Sequence, residues 1–175
     1  TEMLRDLDVC EVTKLAASMG ITKADGSQLD PDPSIALGSA PVPPLSMANA
    51  YATFASGGKY CKPIAIDQIL DASGTSMAVP SADCTQVMDQ GAADETAKTL
   101  RATSEPGGTA KDAVFGRPIA GKTGTTDEAE NTWFVGFTPQ LSTAVWIGDA
   151  TESGRSLVGR TIGGVYFPTI HDSDL

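Results

Sequence analysis

Residues 118–147 hold three segments of β-type composition separated by two short turns, and few arrangements other than an antiparallel meander accommodate that pattern. Strands are expected over 118–126, 132–138 and 141–147, with 127–131 and 139–140 as the turns. In the middle segment Trp133, Val135 and Phe137 alternate with Thr132, Phe134 and Gly136. Apolar residues fall on both faces, as in a central strand covered on each side.

The rest of the chain reads mainly as helices. Asp8 and Glu11 have the spacing of a capping box, Val12, Leu15, Ala16 and Met19 repeat at helical spacing, and Gly20 can close the helix. Residues 34–38 are expected as a short strand or extended segment. Pro41-Val42-Pro43-Pro44 is a stiff entry to a helix over 45–56, which Ser46 can cap. Met47, Ala50, Tyr51 and Phe54 share a face of that helix, and Gly57-Gly58 stop it. A hairpin is expected from 64–70 and 76–79 around a turn at 71–74. Residues 89–102 favour another helix, which 105–109 break. The expected class is α+β, an antiparallel sheet flanked by helices, with no internal repeat and no domain boundary.

Composition narrows the function. A net charge of -10 opposes a nucleic-acid partner, since phosphate binding needs a basic face. No apolar run is long enough to span a bilayer, and no signal peptide is visible. Cys61 and Cys84 flank the expected hairpin, whose ends meet, so a disulfide between them is sterically natural and would indicate an oxidising, extracytoplasmic setting. Two buried free thiols are the alternative. Cys10 is then left over, as a buried thiol or the partner of a group elsewhere.

The chemistry concentrates in Gly121-Lys122-Thr123-Gly124-Thr125-Thr126 on the first strand of the meander. Side chains alternate along a strand, so Lys122 and Gly124 share one face while Thr123 and Thr125 share the other. A strand edge offers backbone N–H donors to an oxyanion, hydroxyls and a cation can hold a carboxylate, and Gly124 removes a side chain where a substrate approaches. Gly116 to Thr123 also fits the phosphate-loop pattern in full. Such a loop must run into a helix, whereas Gly124, two threonines, Asp127, Glu128 and Glu130 follow here. Val145 to Asp149 could imitate the magnesium-holding strand of such a site, but a strand ending at a turn explains it more simply. Ser56-Gly57-Gly58-Lys59 has nucleophile spacing, but its two glycines favour a helix end, so Ser56 reads as structural. No Ser-x-Asn exists, and His171 is the lone histidine and reads as a surface residue, so a Ser-His-Asp triad has little support. Neither a metal site nor a cofactor is called for.

Taken together, residues 121–126 with Thr132-Trp133-Phe134-Val135-Gly136-Phe137 resemble the third motif and following strand of class A, bifunctional penicillin-binding proteins. Residues 45–58 resemble the helix those proteins carry between their second and third motifs. Ala36-Leu37-Gly38-Ser39, Ala144-Val145-Trp146-Ile147-Gly148 and Tyr60-Cys61-Lys62-Pro63-Ile64 also fit, the last resembling actinobacterial members.

The resemblance implies a penicillin-binding, β-lactamase-like fold and a D,D-transpeptidase working through a serine acyl-enzyme on D-Ala-D-Ala stem peptides of peptidoglycan, with β-lactam antibiotics as suicide substrates. It gives Lys122 a charge and hydrogen-bonding role beside the nucleophile, and Thr123 and Thr125 the substrate carboxylate, with Thr126 also among the substrate-binding residues. The N–H of Thr125 would complete an oxyanion hole, and Gly124 would admit the substrate. The family's nucleophile and Ser-x-Asn segments are absent from these 175 residues, and its last helix is cut near 172–175. The expected arrangement is therefore the C-terminal portion of a transpeptidase domain, over 1–175. It would be inactive alone and partnered by an N-terminal remainder carrying a membrane anchor and a glycosyltransferase domain. A β-lactamase or D,D-carboxypeptidase of the same fold, and a non-catalytic β-lactam sensor, are the alternatives.

Overall fold

The structure is a computed structural model. It describes residues 6–113, 116–151 and 154–167, and His171 and residues 172–175 lie outside them. The meander forms as expected. Strands β5 (Ala120–Thr125), β6 (Asn131–Phe137) and β7 (Ser142–Gly148) make an antiparallel sheet in the order β5-β6-β7. The register pairs Lys122 with Val135 and Val135 with Ala144.

Helix α2 (Pro44–Ala55) lies on the sheet. Tyr51 meets Phe137 edge to face at 6.2 Å, and Ser142 Oγ donates to Ala48 O at 2.6 Å. Burial raises the Tyr51 phenol above its ordinary pKa. Ala50 and Ala93 are fully enclosed where α2 meets α3 (Gln90–Arg101), because small side chains let helices approach closely. Ile119, Ala120, Val135 and Phe137 complete this core. The class is α+β.

Several local expectations change. Helix α1 (Val9–Ser18) is capped by Asp8, whose Oδ1 accepts from the Cys10 N–H, but Glu11 pairs with Lys14 and closes no capping box. Residues Pro33–Leu37 form a 3-10 helix instead of a strand, because Asp32 accepts from the Ser34 N–H and Pro33 presets the first turn. Pro43 stands at the N-cap of α2, and Ser46 lies within the helix and does not cap it. Pro44 has no N–H to satisfy, so the helix starts without a side-chain cap. A hairpin of β8 (Arg160–Ile162) and β9 (Val165–Phe167) follows the sheet and had no clear signal in the sequence.

Between α2 and α3 the chain leaves the body as a lobe. Its neck pairs β1 (Lys59–Tyr60) with β4 (Thr85–Gln86), and its tip pairs β2 (Ile69–Leu70) with β3 (Ser76–Met77). The strands are far shorter than the sequence suggests, because neither finds a third partner or a covering layer. Ile64, Ile66, Leu70 and Met77 stay exposed. Cys61 and Cys84 are joined in the neck with their Cα atoms 4.1 Å apart. Cys10 is free and exposed, so of its two expected states the buried thiol does not hold, because the inward position on α1 belongs to Thr13.

Candidate active site

All five candidate residues from Lys122 to Thr126 lie together on β5 and at its end. The two glycines of the motif behave differently. A Cβ on Gly121 would come within 2.7 Å of Val135 O and 2.9 Å of the Phe134 ring, so the fold itself demands glycine there. A Cβ on Gly124 would meet only Trp133 Cβ, at an ordinary 3.5 Å. Among the described residues nothing else comes within 4 Å of that position, so the strand is open to close approach there. Gly124 shares its row with Trp133 and Trp146, whose rings lie 6.5 Å apart, and Trp146 Nε1 donates to Asn131 Oδ1 at 3.1 Å.

Lys122 is exposed, and its amine folds along the strand to donate to Thr123 O at 2.8 Å and Thr123 Oγ1 at 3.3 Å. Its long side chain thus links two residues that alternation places on opposite faces. Thr123 is buried, and its hydroxyl donates to Thr109 Oγ1 at 3.0 Å. Thr125 is exposed. Thr126 is committed to the turn: its N–H donates to Asn131 O at 3.0 Å, and its hydroxyl accepts from the Asn131 N–H at 2.9 Å. Residues 154–157 brace that turn, with Ser156 Oγ donating to Glu128 O and Leu157 N–H to Ala129 O.

The outer edge of β5 holds residues that sequence reasoning passed over. Thr103 Oγ1 donates to Gly121 O at 2.8 Å, and Ser104 Oγ donates to Ile119 O at 2.8 Å. The carbonyls of 119 and 121 therefore point away from β6. By alternation the backbone groups of Thr123 and Thr125 point the same way. In the sequence, 105–109 register only as the break after the 89–102 helix. The paired hydroxyls at 103 and 104, followed by Gly-Gly-Thr at 107–109, are the available signal.

The rival motifs lose their geometry. Ser56 is the C-cap of α2 and donates to Thr53 O and Lys59 O, and Gly57 and Gly58 take φ of 68° and 87°. Such a backbone ends a helix and cannot present a nucleophile with its lysine one turn on. Lys122 and Thr123 sit inside a strand and not at a helix N-terminus, so the phosphate-loop reading has no anion cradle. Asp149, at the end of β7, binds Arg155 and Thr151.

Residues 18–159 match the family described as penicillin binding protein transpeptidase domain. The chain is 39% identical over 136 residues to penicillin-binding protein 1A of Aquifex aeolicus, covering 77% of this chain and 19% of that protein. It is 39% identical over 144 residues to penicillin-binding protein 1A of Neisseria gonorrhoeae, covering 78% of this chain and 18% of the relative. Among solved structures, the penicillin-binding protein PonA1 from Mycobacterium tuberculosis in complex with penicillin V superposes with a TM-score of 0.64 at 30% identity, over 79% of this chain and 37% of that one. The chain thus spans about a fifth of the length of the curated relatives it matches. With the Lys-Thr-Gly strand at the sheet edge and a family match over most of its length, the chain belongs to the penicillin-binding protein transpeptidase domain family.

Proposed function

We propose that residues 1–175 form the C-terminal portion of a D,D-transpeptidase domain and supply the Lys-Thr-Gly wall of its active site. The carrying observation is that Lys122, Gly124 and Thr125 cluster on β5, where a Cβ on Gly124 would meet only Trp133 Cβ among the described residues. The nucleophilic serine comes from sequence outside this chain, so these residues alone do not turn over substrate.

In this reading the serine oxygen attacks the penultimate D-Ala carbonyl of a peptidoglycan stem peptide, and the terminal D-Ala leaves with a proton. An amine of a second stem peptide then takes the acyl group and the serine regains its proton. The Lys122 ammonium raises the positive potential beside the nucleophile and favours its deprotonation. The outward N–H of Thr125 stabilises the oxyanion, and its hydroxyl, with the Lys122 amine that Thr123 holds, binds the substrate carboxylate. Gly124 keeps the approach open. Thr126 contributes by holding the turn that ends the strand. A β-lactam enters by the same route and stays as the acyl-enzyme.

The domain works outside the cytoplasm, held to the membrane by a segment not among these residues. The Cys61–Cys84 disulfide fits that compartment, and no helix among the described residues is long and apolar enough to cross a membrane.

Labelling the native material with a fluorescent penicillin, then mapping the adduct by mass spectrometry, tests the proposal. A stable adduct on a serine outside 1–175 is expected. An adduct on Ser56 would refute the assignment, and rapid hydrolytic release would indicate a β-lactamase or carboxypeptidase instead.

A further inference from the structure

The segment after α3 folds into a tight loop against the open edge of β5. Ala110 N–H donates to Thr103 O at 2.8 Å, and Gly108 N–H donates to Glu105 O at 2.8 Å. A Cβ on Gly108 would lie 2.1 Å from Thr103 O and 2.6 Å from Ala102 O, so only glycine lets the chain turn back this closely. Ala110 is fully buried behind it. This closure brings three hydroxyls to one strand. The Ser104 hydroxyl is shared between the carbonyls of Ile119 and Arg101, that of Thr103 between those of Gly121 and Leu100, and Thr109 accepts from the Thr123 hydroxyl.

The consequence lies in hydrogen-bond direction. The Thr123 hydroxyl has one proton, which it gives to Thr109 Oγ1. Its lone pairs then face the Lys122 amine, which donates to it at 3.3 Å. The polarity of the chain Lys122 to Thr123 to Thr109 is set at its far end by a residue that is exposed and distant in sequence from the motif. Valine at 109 cannot accept a hydrogen bond, so the Thr123 proton would be free to rotate toward the amine, which would keep the Thr123 carbonyl but lose the hydroxyl as a defined second acceptor.

We propose that the 103–110 loop is a hydroxyl clamp on the Lys-Thr-Gly strand, in which Thr109 is a positioning residue that orients the Thr123 hydroxyl, and through it the Lys122 amine, for a ligand carboxylate. Thr103 and Ser104 hold the strand edge on which that orientation depends. The inference rests on the transpeptidase reading above.

The test uses the intact native protein and second-order acylation rates for benzylpenicillin and for its methyl ester, which lacks the carboxylate. Thr109→Val is expected to slow benzylpenicillin about tenfold, the upper end of what one lost hydrogen bond gives. The ester rate should stay within about twofold, and Thr109→Ser should restore the benzylpenicillin rate. Thermal melts verify folding, and Thr109→Ala repeats the comparison should valine prevent it. An unchanged benzylpenicillin rate, or equal slowing of both compounds, overturns the clamp while leaving the transpeptidase reading intact. A native protein acylated by neither compound overturns the transpeptidase reading and the clamp with it.

Discussion

The β5–β7 sheet and the disulfide-tied lobe are both antiparallel β structure, yet they are held by different means. In the sheet, each strand lies beside a partner, α2 and α3 cover one face, and side-chain hydroxyls of the 103–110 loop bond the outer edge. In the lobe, two ladders of two residue pairs each stand in solvent, closed by one covalent bond and the exposed Lys62–Asp83 ion pair. The difference teaches that strand length here follows from available neighbours more than from local composition. Ile64 to Leu70 is as β-prone as residues 120–125, but only the latter has a partner for every residue.

The comparison can be broken at the sheet first. Gly108→Ala places a methyl against two backbone oxygens that cannot rotate away, and should cost about 3 kcal/mol or more in denaturant unfolding. A cost under about 0.5 kcal/mol, the level of an ordinary surface substitution, would mean that the loop does not clamp the strand tightly. Reducing the disulfide should act on the other side. Closing a span of 23 residues limits the unfolded chain by about 3 kcal/mol in the chain-entropy account. Amides of Ile69–Leu70 and Ser76–Met77 should then exchange near open-chain rates while those of Asn131–Phe137 stay protected. Equal loss of protection in both would show the lobe and sheet to be one cooperative unit.

Acid should separate the regions more gently. Asp71 is held below the usual carboxylate range first by the Ser73 hydroxyl and then by backbone N–H groups of the turn, and Asp83 first by the Lys62 ammonium. A depressed folded pKa contributes stability that is present above the ordinary carboxylate value of about 4 and is lost as pH falls through the folded value. Strands β5, β6 and β7 contain no carboxylate. Lowering the pH from 7 to 3 should therefore raise exchange in the lobe before the sheet, and simultaneous loss would contradict this. The smallest effect lies within the sheet. Thr132 is fully buried opposite Thr125, and its hydroxyl has no hydrogen-bond partner among the described residues. Thr132→Val should be neutral or stabilising by up to about 1 kcal/mol, and clear destabilisation would reveal a role for the hydroxyl.

Much of the sheet was legible because alternation and turns are local signals. The strands expected over 118–126, 132–138 and 141–147, and the helices expected over 45–56 and 89–102, lie within two residues of those found, and they and the clustering of Lys122 to Thr126 follow from residues close in sequence. The disulfide was legible as one of two options, since it needed only a hairpin between the cysteines. The capping role of Ser46 failed because Pro44 had already started the helix. The 34–38 strand failed because an Asp-Pro start favours a turn. The clamp could not be read, because it depends on Thr109 and Thr123 meeting across 14 residues and a backbone that folds back at Gly108.

The central claim is that β5 forms the ligand-binding wall, and a crystal structure of the intact protein acylated by penicillin tests it most directly. The account predicts the β-lactam carbonyl oxygen about 3 Å from the Thr125 backbone nitrogen. It also predicts the carboxylate at the Lys122 amine and the Thr125 hydroxyl and the acylated serine outside residues 1–175. A ligand seated away from β5, or an adduct on Ser56, would contradict it.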